Sequence, residues 1–138
     1  MATFDDFQKL DMRVGEITRA EAFPKARKPA YKLWVDFGEE IGIKQSSAQI
    51  TDCYGLDELV GKQVLGVINF PTMKVADFSS EVLVMGVYSD QGVVLIEPQQ
   101  KVKKGDRLGY FQRTQMIYFI CVLFNKKKTH LQLVILCN

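Results

Sequence analysis

The sequence predicts an all-β fold with minor α content, on three observations. Residues Lys32–Phe37 alternate, with Leu33, Val35 and Phe37 on one side and Lys32, Trp34 and Asp36 on the other. Glycines and prolines punctuate the chain at short intervals, so the period-two segments stay short. No strand is followed by a crossover helix, which argues against a doubly wound sheet. At 138 residues, 47% hydrophobic and 25% charged, the chain fits one globular core and excludes wholesale disorder.

A short helix opens the chain. Thr3 can cap it, Asp6 stands three residues later, and Phe4, Phe7 and Leu10 recur on one face. So short a helix must pack its Phe face on something, either its own barrel or a second subunit. A strand runs from Arg13 to Ala22, with Gly15 read as a turn glycine near its start. Phe23–Tyr31 is a loop that Pro24 and Pro29 hold extended and out of regular structure. After the strand Lys32–Phe37, Gly38 and Gly42 bracket a turn, and a short strand covers Ser47–Ile50. Gly55–Val60 suits a helix closed by Gly61. Strands then follow at Gln63–Asn69, Val82–Tyr88 and Val93–Glu97, the last two joined through Asp90-Gln91-Gly92 as a hairpin. Three strands, a helix and further strands is the order of a five-stranded Greek-key barrel of the OB-fold type, here with an added N-terminal helix.

Charge is unevenly spread. Residues 1–108 carry 14 basic and all 16 acidic side chains, whereas residues 109–138 carry four basic and none acidic. From Tyr110 to Asn138 there is no Gly, Pro, Asp or Glu, and 17 of 29 residues are hydrophobic. Two apolar runs, Met116–Phe124 and Leu131–Cys137, flank a basic turn and suit two strands. The organisation expected is therefore a body, residues 1–109, and an atypical hydrophobic and basic extension, residues 110–138. The longest apolar run, nine residues, is about half of a membrane span. With no apolar leader at the N-terminus, the expected location is cytoplasmic.

Several chemistries find no support. Cys53, Cys121, Cys137 and His130 lack metal-ligand spacing, so neither a metal nor a cofactor is expected. Gly55 to Gly61-Lys62-Gln63 has one residue too many for a phosphate loop, puts Gln where Ser or Thr must hold magnesium, and precedes a strand. Asp5-Asp6 and Glu39-Glu40 lie in a helix start and a turn, and Ser46-Ser47 has no histidine beside it. No catalytic residue is assigned. The positive signal is Pro24–Lys32, where Lys25, Arg27, Lys28 and Lys32 accompany Tyr31. Cations neutralise phosphates and an aromatic ring can stack on a base, although a merely solvated loop has the same composition. The cluster Lys101, Lys103, Lys104 and Arg107 is open to the same two readings. Trp34, facing away from the core side, is read as an interface residue ahead of a stacking platform.

Six ordered segments carry a family resemblance: Phe7–Ile17 (FQKLDMRVGEI), Phe23–Leu33 (FPKARKPAYKL), Asp36–Lys44 (DFGEEIGIK), Ser46–Thr51 (SSAQIT), Val67–Pro71 (VINFP) and Ser80–Tyr88 (SEVLVMGVY). From about Phe4 to Gly109 the chain resembles the CsaA family. That family lies within the tRNA-binding OB domains also found in methionyl- and phenylalanyl-tRNA synthetases. The resemblance implies a homodimer that binds the outer, elbow region of tRNA by shape. It also implies, as the alternative function, a chaperone for unfolded precursor proteins with contacts to the secretion ATPase. It associates RNA contact with Asn69–Ser80, where Asn69, Lys74 and Ser80 match. Thr72-Met73 stands where relatives often have Pro and a cation, and Asp77 where they often have Gly, so weaker RNA binding is expected there. The RNA-binding set expected is Lys25, Arg27, Lys28, Lys32, Asn69, Lys74 and Ser80, and the dimer-interface set is Phe4, Phe7 and Trp34. The family stops near Gly109, so the tail reads as a lineage-specific extension or as translation past a disrupted stop or frame.

Overall fold

The computed structural model describes residues 1–110; the apolar runs and basic turn expected in the tail lie outside the described residues. The first of the chain's two units, Met1–Leu108, contains every element named below.

Helix α1 (Phe4–Gln8) begins as the sequence predicts. The Asp6 amide donates to Thr3 Oγ1 at 3.3 Å and the Thr3 amide to the Asp6 carboxylate at 3.0 Å, closing a capping box. Phe7 and Leu10 pack against Met12, Val14, Leu65 and Val67, so this face docks on its own barrel, while Phe4 remains exposed.

Five strands form an antiparallel sheet in the order β3-β2-β1-β4-β7: β1 (Met12–Ala22), β2 (Tyr31–Asp36), β3 (Ile43–Ala48), β4 (Gln63–Val67) and β7 (Leu83–Val84). Helix α2 (Leu56–Leu59) connects β3 to β4. The sheet curls until its outer strands approach. The Glu81 amide donates to the Gln45 carbonyl at 2.8 Å, and the Gln45 and Ser47 amides of β3 donate to the Glu81 carboxylate (3.1 Å) and to Ser80 Oγ (3.2 Å). The result is a nearly closed, OB-fold-like barrel. Two small hairpins complete it, β5 (Met73–Val75) with β6 (Phe78–Ser80), and β8 (Gly86–Ser89) with β9 (Gly92–Leu95). None of the described helices is long and apolar enough to cross a membrane.

Alternation explains which faces are buried. Ile17, Leu33, Val35, Phe37 and Val64 fill the barrel interior. Met12, Val14, Leu65 and Val67 point outward and are covered by Phe7, Leu10, Met85, Ile96 and Val102. Covered on both faces, β4 is buried throughout. The Gln63 side chain behaves like a peptide group, donating to the Val102 carbonyl (2.6 Å) and accepting from the Val102 amide (3.0 Å).

Three expectations need correction. Gly15 is not in a turn: it lies within β1 opposite Val64, and a Cβ there meets Val35 at 2.5 Å and the Phe37 ring at 2.8 Å. Gly66 makes the matching gap in β4, so the Phe37 ring rests on two strands that lack side chains at that level. The strand expected at Ser47–Ile50 runs instead over Ile43–Ala48, because it pairs residue for residue with β2 from Asp36 to Tyr31. The segment Val82–Tyr88 breaks at Met85: its amide donates to Leu65 (2.8 Å) and its carbonyl accepts from Ile96 (3.1 Å), turning the chain from β7 into the β8–β9 hairpin.

Gly15→Ala should destabilise the fold by about 1–3 kcal/mol through overpacking against Phe37, measured by urea denaturation. Asp36 gives a pH signature. Lys104 Nζ donates to its carboxylate at 2.7 Å and the Gly38 amide at 2.9 Å, which hold the Asp36 pKa below the ordinary carboxylate range. Its stabilising contribution is present above that range and fades as pH falls through the lowered value. Asp36→Asn should therefore fall short of the parent protein in stability at about pH 7, and the gap should shrink by about pH 3.

Candidate nucleic-acid interface

The cation-rich loop between β1 and β2 is turned rather than extended. Pro24 starts a turn closed by the Ala26 amide donating to the Phe23 carbonyl (3.2 Å), and the Phe23 amide donates to the Ala30 carbonyl (3.2 Å) to close the neck. A proline φ suits the second position of a turn as well as extended chain, and burial of Phe23 and Ala30 decides for the turn.

What those residues bury against is the β5–β6 hairpin. Its turn is Ala76-Asp77, with Ala76 at φ +54°, and Phe78 follows directly. The Phe78 ring meets Phe23 edge-on at 5.6 Å and Trp34 at 5.7 Å. Ala26, Ala30 and Val75 complete a small apolar cluster outside the barrel. Trp34 is thus half-buried within its own chain, with the Arg19 guanidinium 4.5 Å above its ring. A bulge at Thr18 brings Arg19 opposite Trp34, and the Thr18 hydroxyl donates to the Trp34 carbonyl at 3.2 Å.

Cations stand on this cluster. Lys32 Nζ lies 4.7 Å from the centre of Phe23 and 5.2 Å from that of Phe78. Lys25 Nζ donates to Asp77 Oδ2 at 2.8 Å, which raises the Lys25 pKa and lowers that of Asp77. Arg27, Lys28 and Lys74 are exposed and make no ion pair among the described residues. The loop and the hairpin, some fifty residues apart in sequence, therefore form one basic rim held by aromatic contacts.

The other expected residues are placed differently. Asn69 accepts from the Asp11 amide (2.9 Å) and donates to the Lys9 carbonyl (2.6 Å), clipping the exit of α1 to the loop after β4. Ser80 closes the barrel seam on Ser47, the residue paired with Lys32. Tyr31, read as a stacking ring, packs against the barrel core, and its hydroxyl donates to the Tyr54 carbonyl at 2.9 Å. The second cationic cluster is largely spent on its own acids: Lys104 on Asp36, Lys101 on Glu16 and Arg107 on Asp11. A cleft of about 800 Å³ beside it, at the far end of β2, mixes Lys103 and Lys104 with Glu39, Glu40 and Asp106. Phe78 and Arg19 were missed in the sequence; the alternation of Arg19 with Glu21 on an outward strand face was the signal for the latter.

Comparison with known proteins gives a consistent result. Residues 12–107 match the family model "Putative tRNA binding domain". The crystal structure of chaperone CsaA from Bacillus anthracis str. Ames is 49% identical at a TM-score of 0.74, over 79% of this chain and 99% of that one. The CsaA chaperone protein from Picrophilus torridus is 48% identical at a TM-score of 0.76, over 79% and 100%. A MetRS related protein from Pyrococcus horikoshii is 29% identical at a TM-score of 0.70, over 79% and 98%. The methionine–tRNA ligase of Methanococcoides burtonii is 37% identical over 106 residues, and the chain spans 15% of that enzyme's length. An OB-fold-like barrel, a basic rim on aromatic supports and a family match over most of the chain converge, and this protein belongs to the tRNA-binding domain family, in its CsaA branch.

Proposed function

We propose that this protein is a non-catalytic, cytoplasmic tRNA-binding module, residues 1–109, that grips folded RNA through phosphates. The observation that carries this reading is the rim itself: Arg27, Lys28 and Lys74 exposed without acidic partners among the described residues, beside Lys25 and Lys32. Side chains of this type recognise shape and charge spacing, not base identity. The aromatic cluster holds loop and hairpin in a fixed relation, so the cations are presented with little ordering left to do. Asn69 and Ser80 serve the site by fixing backbone on either side of the hairpin. Two subunits pairing through the α1 end, with Phe4 at the surface and Phe7 backing it on the barrel, set two rims against one tRNA, and Trp34 stiffens each rim from within its own chain.

A second reading, a chaperone that holds unfolded precursor proteins and works with the secretion ATPase, is favoured by apolar side chains left at the surface. Val87 and Val94 face each other across the β8–β9 hairpin at 55% and 41% exposure, and Met73 is 67% exposed. The two readings draw on different chemistry, apolar against cationic side chains, and differ in salt response.

The combined reversal Lys25→Glu, Arg27→Glu and Lys28→Glu should weaken tRNA binding by about 100-fold or more in fluorescence anisotropy at ~50 mM salt. The parent protein should show a log–log salt slope of about −3 to −3.5 for each rim engaged, as four neutralised phosphates require, and about twice that where two rims hold one tRNA. Unchanged affinity of the triple variant removes the rim from the interface. Suppression of aggregation of an unfolded client, in contrast, should survive the triple reversal and ~0.5 M salt, because it draws on apolar burial. Its loss under those conditions counts against the chaperone reading.

A further inference from the structure

Asp77 is the acid that stands among the rim cations. It occupies the two-residue turn of the β5–β6 hairpin, reaches Lys25 across the gap between hairpin and loop, and is also drawn by the charge of Lys32. The pair is open to water, with side chains 69% and 55% exposed. Its contribution to folding is therefore small, and the aromatic contacts of Phe78 hold the hairpin without it. A carboxylate oxygen 2.8 Å from an ammonium has the geometry of a phosphate oxygen in a lysine contact.

We infer that Asp77 is an intramolecular competitor that occupies Lys25 in the place of an RNA phosphate and so sets the affinity and the salt response of the rim. This rests on the tRNA-binding reading and deepens it. A free lysine that meets a phosphate allows a condensed counterion to leave the nucleic acid, and that release drives binding. Lys25 must first give up Asp77, which then needs a cation of its own from solution. The favourable release at this position is thereby cancelled. Arg27, Lys28 and Lys74 have no such acid among the described residues, so the RNA is drawn first to them and engages Lys25 only by opening the pair.

The test uses the full chain in four forms: the parent, Asp77→Asn, Lys25→Gln, and both together. Asn keeps the size and turn tolerance of Asp, so the hairpin is retained. For each rim engaged, Asp77→Asn should tighten tRNA binding about threefold at ~50 mM salt and steepen the log–log salt slope by about 0.7–0.9, one extra counterion. In the Lys25→Gln background the same change should have less than about half that effect. No change in affinity or slope overturns the proposal. An equal gain in both backgrounds also overturns it, because Asp77 then acts by general repulsion. If the parent protein does not bind tRNA, or charge reversal of the rim leaves that binding untouched, the reading of the rim as a tRNA site fails separately. Retention of the same four proteins on immobilised inorganic polyphosphate then decides: later elution of Asp77→Asn alone, lost with Lys25→Gln, upholds the competitor, and co-elution of all four rejects it.

Discussion

The edge-on contact of Phe78 with Phe23 and Trp34 is the interaction on which the basic rim depends. The barrel alone fixes Trp34 and Lys32 through β2, but it does not fix the β1–β2 loop or the β5–β6 hairpin. Phe78 joins all three. Aromatic rings suit this task because a few buried contacts give a defined geometry without a large core, and their negative faces remain available to cations. Lys32 above two rings and Arg19 above a third use that second property. The apolar cluster thus shapes and charges the rim at once.

The barrel beneath is organised around the opposite device, the absence of side chains. Phe37, the residue after β2, continues the interior row of Leu33 and Val35, and its ring is accommodated only because Gly15 and Gly66 leave a gap at the same level of β1 and β4. Close approach of a large ring to bare backbone permits a small barrel to be filled without voids. The outer face of the same two strands carries large apolar residues, which α1 and the segment around Val102 cover. Inside and outside are therefore packed by different rules on the same pair of strands.

Much of this was legible in the chain. The alternation Lys32–Phe37, the Thr3–Asp6 cap and the Gly38 and Gly42 turn each declare themselves within a few residues, because each depends on local dihedrals or on one repeating period. The order of strands and helix then pointed to the barrel. The β5–β6 hairpin was not legible. Its strands are three residues long, too short for a period, and Ala76 takes the left-handed conformation that Gly or Asn ordinarily signals. Gly15 misled for the related reason that a glycine marks either freedom of φ or a need for space, and only its neighbours across the sheet distinguish them. The site was half visible: the cations of Pro24–Lys32 stood out, whereas Lys25–Asp77 and Phe23–Phe78 join residues more than fifty positions apart, where sequence spacing carries no information. Tyr31 looked like a stacking ring because composition does not reveal which side of a strand start faces inward.

The seam between β3 and the segment 80–81 has a consequence for how this scaffold accepts change. A ladder of peptide groups would fix the spacing of both partners residue by residue; here a single peptide contact, from the Glu81 amide to the Gln45 carbonyl, is flanked by the side chains of Ser80 and Glu81. Between the anchors at Asn69 and Phe78, the exposed segment 71–74 makes no ladder with the staves of the barrel, so its length and charge are set by the hairpin alone. The scaffold can therefore be recharged along that one short segment while everything behind it stays put.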